Sequence, residues 1–286
     1  VDGQTRYRLD IAYDGTNFNG WATQPGLRTV QGVLEDALSL VLPRVDGADY
    51  TPRLTVAGRT DAGVHALGQV AHLDIPEAIV AKGFSRTENS FATELHRKLS
   101  KTLSRDPDVT VHKIQDAPPG FDARFSALSR AYEYKISDAE APYNPLSRLD
   151  QWRVESVLDL DILNRTSGVL LGLRDFGAFC KPREGSTSIR DLQEFHWRRG
   201  ANRTVIAHLK ADAFCHSMVR NLVGALVEVA KGRLNLARLT ELLDAAERSP
   251  EIKVAPAHGL TLLAVEYPTE SELADRAEKT RGLREL

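Results

Sequence analysis

The sequence of 286 residues has two cysteines, one methionine and no long apolar run. Cys180 and Cys215 are too few for a disulfide framework or a four-cysteine zinc site, and such sparing use fits a reducing compartment. No stretch reaches the ~18 to 20 uninterrupted apolar residues that a membrane-spanning helix needs. The opening VDGQTRYRLD has no apolar signal-peptide core, so the chain reads as cytoplasmic, with no membrane partner. There is no G-x-x-x-x-G-K-[ST] loop, no G-x-G-x-x-G turn and no G-x-S-x-G elbow, which removes the main support for nucleoside-triphosphate, dinucleotide and α/β-hydrolase chemistry.

With 42% apolar, 27% charged and 7% aromatic residues, the chain has the composition of ordinary globular proteins and is neither collagenous nor wholly disordered. Its length, roughly twice that of a ~150-residue domain, favours two domains. The net charge of -2 hides an uneven distribution. Residues 171–240 carry 12 Lys and Arg against 6 Asp and Glu, an excess of +6 in an otherwise acidic chain. Such a stretch is the footprint of a nucleic-acid binder, although a solvated charged face has the same pattern.

Tyr7, Leu9, Ile11 and Tyr13 alternate as in a half-buried strand. A helix is expected over 30–41, where apolar residues recur at helical spacing between a Thr29 cap and Pro43. Strands over 53–57 and 69–75, a helix over 86–101 and a strand over 109–114 complete a β-α-β-β-α-β order. The turn-rich Ala117-Pro118-Pro119-Gly120 follows, and the order then repeats. Its parts are a strand at 132–136, a helix at 159–171, strands at 189–197 and 204–211, a helix over 218–227, an added helix at 235–247 and a last strand at 260–267. The expected fold is α+β: two tandem ferredoxin-like (βαββαβ) domains with mainly antiparallel sheets and a functional cleft between them. The expected boundaries are 1–116, 117–268 and a polar tail over 269–286, a surface helix or a frayed end.

Paired RNA-recognition modules share that order, but they stack bases on aromatics in their central strands. RLTVA and QVAHLDI contain none, and Phe195 and Trp197, two apart, read as sheet core. The segment 58–65, G-R-T-D-A-G-V-H, has the composition of a tight exposed loop. Asp61 could cap a local turn, act as a nucleophile or acid/base group steadied by arginine, or join His65 and His72 at a metal; no H-E-x-x-H accompanies the last reading. Cys215 beside His216 has the elements of a thiol nucleophile, but at the start of an apolar helix it reads as a small buried residue.

G-R-T-D-A-G-V-H-A at 58–66, Y-D-G-T-N-F-N-G-W at 13–21, F-D-A-R-F-S-A at 121–127, H-S-M-V-R-N-L-V-G at 216–224 and A-P-A-H-G-L at 255–260 closely resemble, in order, the motifs of the TruA-type tRNA pseudouridine synthases. The resemblance covers the chain from about Tyr7 to Tyr267. It implies a homodimeric isomerase that converts uridine to pseudouridine in the anticodon stem-loop of tRNA, at positions 38 to 40, without metal or organic cofactor. It also implies two α+β domains around a basic cleft. Carried over by motif, Asp61 is the catalytic aspartate, Arg59 aids base flipping, Tyr132 stacks on the target uracil, Arg220 pairs with Asp61 and Leu260 forms an apolar wall. Two features stand apart. Ser100 occupies a place where the family carries Asn, which bears on backbone contacts to the tRNA. Residues 179–185 resemble a cleft-edge loop whose basic residues either bind phosphate or are simply solvated. A catalytically silent RNA-binding or chaperone protein on the same scaffold is the competing expectation.

Overall fold

Tyr7, Leu9, Ile11 and Tyr13 are all buried on one face of the first strand, as their alternation requires. The computed structural model describes residues 3–45, 49–84, 88–181 and 187–282, and divides the chain into two compact units. In the first unit β1 (Gln4–Tyr13), β2 (Leu54–Val56), β3 (His65–Pro76) and β4 (Val109–Asp116) are antiparallel, in the order β4-β1-β3 with β2 paired to β3. The expected helix over 30–41 is α1 (Val30–Val41), with the Thr29 hydroxyl accepting from Gly32 N. After the short α2 (Glu77–Lys82), α3 (Phe91–Leu103) is capped by Ser90. Leu34 and Leu38 of α1 and Leu95 and Leu99 of α3 recur at three- to four-residue spacing and are fully buried, the usual signature of amphipathic helices covering a core. Ser100 lies half-buried near the end of α3.

The first unit is not continuous in sequence. It comprises Val1–Ala127 and Tyr267–Arg281, so the boundary lies beyond the expected 116/117 and the tail as far as Arg281 belongs to this unit. Main-chain and side-chain bonds explain both shifts. Arg6 forks onto Asp74 (2.6 and 2.7 Å) and also donates to Phe121 O, while Ala117 N donates to Arg6 O. From the tail, the Tyr267 hydroxyl donates to Ala123 O (2.7 Å), and its ring lies 5.0 Å from Phe121 and under the Arg8 guanidinium. Beyond it α7 (Leu273–Thr280) buries Leu273 and Ala277, and Ser126 Oγ donates to Leu273 O. Gly120, at φ +77, abuts Ala274 so closely that a Cβ there would overlap it.

His72, on β3, lies in the same region, and its Nδ1 accepts from Ala123 N (3.0 Å). Burial, helped by the nearby Arg6 charge, pushes its pKa down to about 4, against the pull of Asp122 and Asp74. Protonating Nδ1 removes the acceptor that holds Ala123. The unfolded imidazole, with a pKa of about 6.5, takes up its proton first as pH falls, so His72 destabilises the fold progressively from about pH 6.5 to 4. Melting temperature followed against pH should therefore fall more steeply over that window in the parent than in His72→Gln; parallel curves would contradict the assignment.

The second unit is built on Leu128–Glu266. Its strands are β5 (Ser129–Ser137), the two-residue β6 (Trp152–Arg153), β7 (Gly172–Asp175), β8 (Ile189–Arg199), β9 (Val205–Ala211) and β10 (Leu260–Glu266). They run β10-β5-β9-β8-β7, antiparallel throughout, with β6 parallel to β5. The helices are α4 (Leu160–Gly168), α5 (Met218–Ala230) and α6 (Leu236–Ala245). α5 is buried on nearly every side, from Met218 to Glu228, as befits a central helix with Leu, Val and Ala all round. Phe195 and Trp197 are core residues, with rings 5.7 Å apart and Trp197 Nε1 donating to Ser167 Oγ. The described residues thus form a mixed α/β structure with mainly antiparallel strands and seven α-helices. Sequence patterning did not anticipate α2, β6 or β7, and it placed the start of β3 four residues late.

Candidate active site

The 58–65 loop joins β2 to β3, and its shape begins with a bulge. The β1–β3 register runs Ile11↔Gln69 and then Tyr13↔Ala66, so β3 spends an extra residue near Leu67 and Gly68. A bulge of this kind bends a strand and re-aims the residues next to it. Gln69, wholly buried, turns its amide to Gly58 O (2.8 Å) and to the Tyr13 hydroxyl (3.2 Å). That hydroxyl lies 2.8 Å from Thr60 Oγ1. The Y-D-G-T-N-F-N-G-W segment grips the loop from outside the strands. Trp21 N donates to Thr60 O, Gly63 N to Phe18 O and, within the turn, Val64 N to Asp61 O. Gly15 and Gly20 permit this approach: a Cβ on Gly15 would overlap the Val64 carbonyl, and one on Gly20, at φ +85, would press on Thr60 O.

Exposure alternates along the loop: Arg59 exposed, Thr60 buried, Asp61 half-buried, Ala62 exposed. Asp61 therefore sits at a turn whose backbone is fixed on both sides, while Arg59 and Ala62 reach solvent. Burial pushes the Tyr13 phenol up to about 12, although its bonds to Thr60 and Gln69 pull the other way, so it stays protonated near neutrality. At the far end of the loop His65 Nδ1 lies 3.0 Å from both Gly15 N and an Asp14 carboxylate oxygen, two contacts that call for different ring tautomers. Burial opposes ionisation of Asp14, yet bonds from Thr16 and the nearby His65 hold its carboxyl below the usual range. His65 is thus engaged with Asp14 and Gly15, and His72 with Ala123. The metal reading of Asp61, His65 and His72 finds no support, since no cluster of three or more His, Cys, Asp or Glu among the described residues could hold an ion.

The other expected site residues belong to the second unit. Tyr132 is buried on β5, opposite Leu262 of β10 and Leu209 of β9. Its ring meets that of Phe214 edge-on, centroids 5.2 Å apart at 87°. Two residues on, Tyr134 is fully buried and donates to Pro256 O (2.7 Å). Its pKa is raised by burial, the charge of Arg220 acting in the opposite sense. Arg220, in the first turn of α5, donates from Nε to Ala255 O (2.8 Å), and Ala255 N donates back to Arg220 O. Gly224 lets residue 253 approach α5, and Gly259 lies flat on the Tyr134 ring, where a Cβ would overlap ring atoms. These contacts lead the chain into Leu260, buried opposite Tyr134 at the start of β10. In the second unit Arg220 and Leu260 thus meet at the 253–260 segment, with Tyr132 on the neighbouring strand opposite Leu262, while Arg59 and Asp61 belong to the first unit.

Three features were not foreseen. Cys180 and Cys215 form a disulfide, their Cα atoms 5.7 Å apart. Cys215, read from the sequence as a small buried residue, is instead half-buried and paired, which leaves it no free thiol to act as a nucleophile; 35 residues of separation conceal a pairing that only the folded geometry permits. Lys181 N to His216 O and Asn221 Nδ2 to Phe179 O tie the same two segments. Residues 182–185 of the expected cleft-edge loop lie outside the described residues. Second, Ser217 caps α5 at φ 63, a left-handed backbone that a non-glycine residue adopts at a cost of order 1 to 3 kcal/mol, three residues before Arg220. Third, the +6 stretch is partly neutralised by folding. Arg198 pairs with Glu133, Arg199 and Arg203 with Glu140, Lys210 with Glu266, and Arg238 with Glu241 and Glu251, all carboxylates from outside it.

A family model described as tRNA pseudouridine synthase matches residues 168–268. Over full length the chain is similar to proteins named tRNA pseudouridine synthase A. It is 52% identical over 290 residues to that of Leifsonia xyli subsp. xyli, covering 100% of both chains. It is 49% identical over 286 residues to that of Frankia casuarinae, covering 99% of this chain and 97% of the other. Identity to that of Mycobacterium leprae is likewise 49%, over 292 residues, with 99% and 97% covered.

Proposed function

Since the chain belongs to the tRNA pseudouridine synthase A family, as an isomerase acting on uridine in tRNA, we propose that it makes pseudouridine at positions 38 to 40 of the anticodon stem-loop, with Asp61 as the catalytic carboxylate. The observation that carries this reading is the presentation of Asp61: half-buried at a turn whose neighbours are held by Tyr13, Gln69 and Trp21. The reaction leaves the composition of the tRNA unchanged, since the proton lost from carbon 5 is balanced by one gained at N1. The bond from the ribose to N1 of uracil breaks, the base turns, a bond forms to carbon 5, the proton leaves carbon 5 and N1 is protonated. Such chemistry needs a carboxylate at the reacting centre and a pocket that keeps water out.

A desolvated carboxylate tends to take up a proton unless a fixed cation holds it ionised, and a guanidinium keeps its charge. Arg220 is the residue we assign to that task as the partner of Asp61, its reciprocal bonds to Ala255 favouring a fixed rather than a wandering cation. Tyr132 stacks on the turned-out uracil, with Phe214 bracing its ring, and Leu260 supplies apolar wall. Exposed Arg59 fills the space the base leaves or guides it across. The strand order β4-β1-β3 with β2 on β3, repeated as β10-β5-β9-β8, favours reading each unit as ferredoxin-like. We read the working form as a cytoplasmic homodimer that uses no metal or organic cofactor; no helix among the described residues is long and apolar enough to cross a membrane.

The decisive experiment incubates the protein with unmodified tRNA transcripts and maps pseudouridine by carbodiimide-dependent primer-extension stops. Stops at 38 to 40 are expected. Stops elsewhere would overturn the choice of position, and none would leave a binding protein. In the same preparation the logarithm of tRNA affinity should fall with log salt, by ~0.7 to 0.9 for each phosphate neutralised. A flat plot would show that the cations left after the internal ion pairs do not meet phosphate.

A further inference from the structure

Thr60 has a different environment from its neighbours. Arg59 and Ala62 are exposed, yet Thr60 is buried between Tyr13 and Trp21, and both of its polar oxygens are used there. Its carbonyl accepts from Trp21 N (3.1 Å), and its hydroxyl meets the Tyr13 hydroxyl at 2.8 Å. Either hydroxyl can supply the proton of the second bond. Gln69 Nε2 can only donate, and it points at the Tyr13 oxygen, which therefore joins Gln69 to Thr60. The buried phenol stays protonated near neutrality. Gln69 also holds Gly58 O, and its own side-chain oxygen accepts from Val70 N, which anchors the amide to β3. A relay of three buried side chains thus runs from the bulged strand to the residue immediately before Asp61.

We propose that Thr60 is a positioning residue for Asp61, held in place by Tyr13 and Gln69 so that the carboxylate meets the reacting ribose and base without having to be ordered first. This rests on the reading of Asp61 as the catalytic carboxylate. Thr60 touches no substrate in this role; it limits where the next residue can be. A reacting group displaced by about 1 Å can lose about 100-fold in rate, so freeing the Thr60 end of the turn should slow chemistry far more than binding. The phosphate contacts that dominate affinity for a nucleic acid depend on other residues.

The test uses the full chain and unmodified tRNA, with single-turnover rate and tRNA dissociation constant measured separately. Thr60→Val keeps the shape and deletes the hydroxyl, Thr60→Ser restores it, and Tyr13→Phe removes the other partner. Thr60→Val and Tyr13→Phe should each slow the single-turnover step by about 10- to 100-fold with affinity within about threefold of the parent, and Thr60→Ser should recover most of the rate. If both act through the one bond, the double variant should be little slower than the slower single one. Circular dichroism at the assay temperature checks folding, and Tyr13→Phe carries the test if Thr60→Val does not fold. The proposal fails if Thr60→Val turns over at the parent rate, if Thr60→Ser is as slow as Thr60→Val, if the two losses multiply, or if the loss appears in affinity. Asp61→Asn run alongside separates the two levels: its retained activity would remove the catalytic reading itself, whereas an inactive Asp61→Asn with a fully active Thr60→Val would remove only the positioning role.

Discussion

Asp61→Asn is expected to convert uridine in tRNA at less than about one per cent of the parent rate, a loss above ~3 kcal/mol, while binding tRNA within a few-fold of the parent. Asparagine matches aspartate in size. The bonds that shape the turn run through Gly58 O, Thr60 and the main-chain oxygen of Asp61, none of which the substitution changes. What it removes is the negative charge, and with it any role in attacking or deprotonating the nucleoside. Purified Asp61→Asn that worked at more than about one per cent would show that the charge is dispensable, and the reading built on it would fall.

Tyr132 is assigned two jobs that a pair of substitutions can separate. In the proposed role the ring stacks on uracil, and we add to it that the hydroxyl would assist removal of the proton from carbon 5 once the base has been rejoined. Phenylalanine preserves the ring and its perpendicular contact with Phe214, so Tyr132→Phe should bind tRNA nearly normally. General acid-base assistance typically contributes ~100- to 10,000-fold, and Tyr132→Phe should be slower by that order in releasing tritium from tRNA labelled at carbon 5 of uridine. Tyr132→Ala forfeits stacking as well, worth ~1 to 3 kcal/mol per base, and should also engage the substrate less well. Tritium release by Tyr132→Phe at the parent rate would leave the residue a stacking platform only.

Local patterning carries far here, and its failures have definite causes. α1 begins and ends where the Thr29 cap and the approach to Pro43 place it, because cap, periodicity and stop signal all agree. The main strands and helices of both units fall where the sequence pattern puts them, with α2, β6 and β7 added. β3 was placed late because His65, Ala66, Leu67 and Gly68 do not alternate: the bulge consumes a residue there, and an exposed Leu67 breaks the pattern. The six-residue α2, directly after Pro76, is too short to show a period. Among the candidate site residues, Asp61 stands out in the sequence through the composition of its loop and the motif around it. The group that holds the loop does not, because Tyr13, Thr60 and Gln69 are up to 56 residues apart and each reads singly as an ordinary core or turn residue. Charge summed along the chain leaves out the same kind of long-range pairing, since most carboxylates that meet Arg198 to Arg238 come from other stretches.

The return of Tyr267–Arg281 to the first unit bears on how the protein is made. A ribosome delivers Val1–Ala127 first but cannot supply the closing segment until all of Leu128–Glu266 has been synthesised. At ~5 to 20 residues per second, that interval lasts about 7 to 28 s. Throughout it, the side of Phe121 that Tyr267 covers and the groove beside Gly120 that receives Ala274 have no occupant from their own chain. The unit that carries Asp61 is therefore begun first and completed last, so a nascent chain can present a nearly finished loop before the segment that seals its unit has been translated.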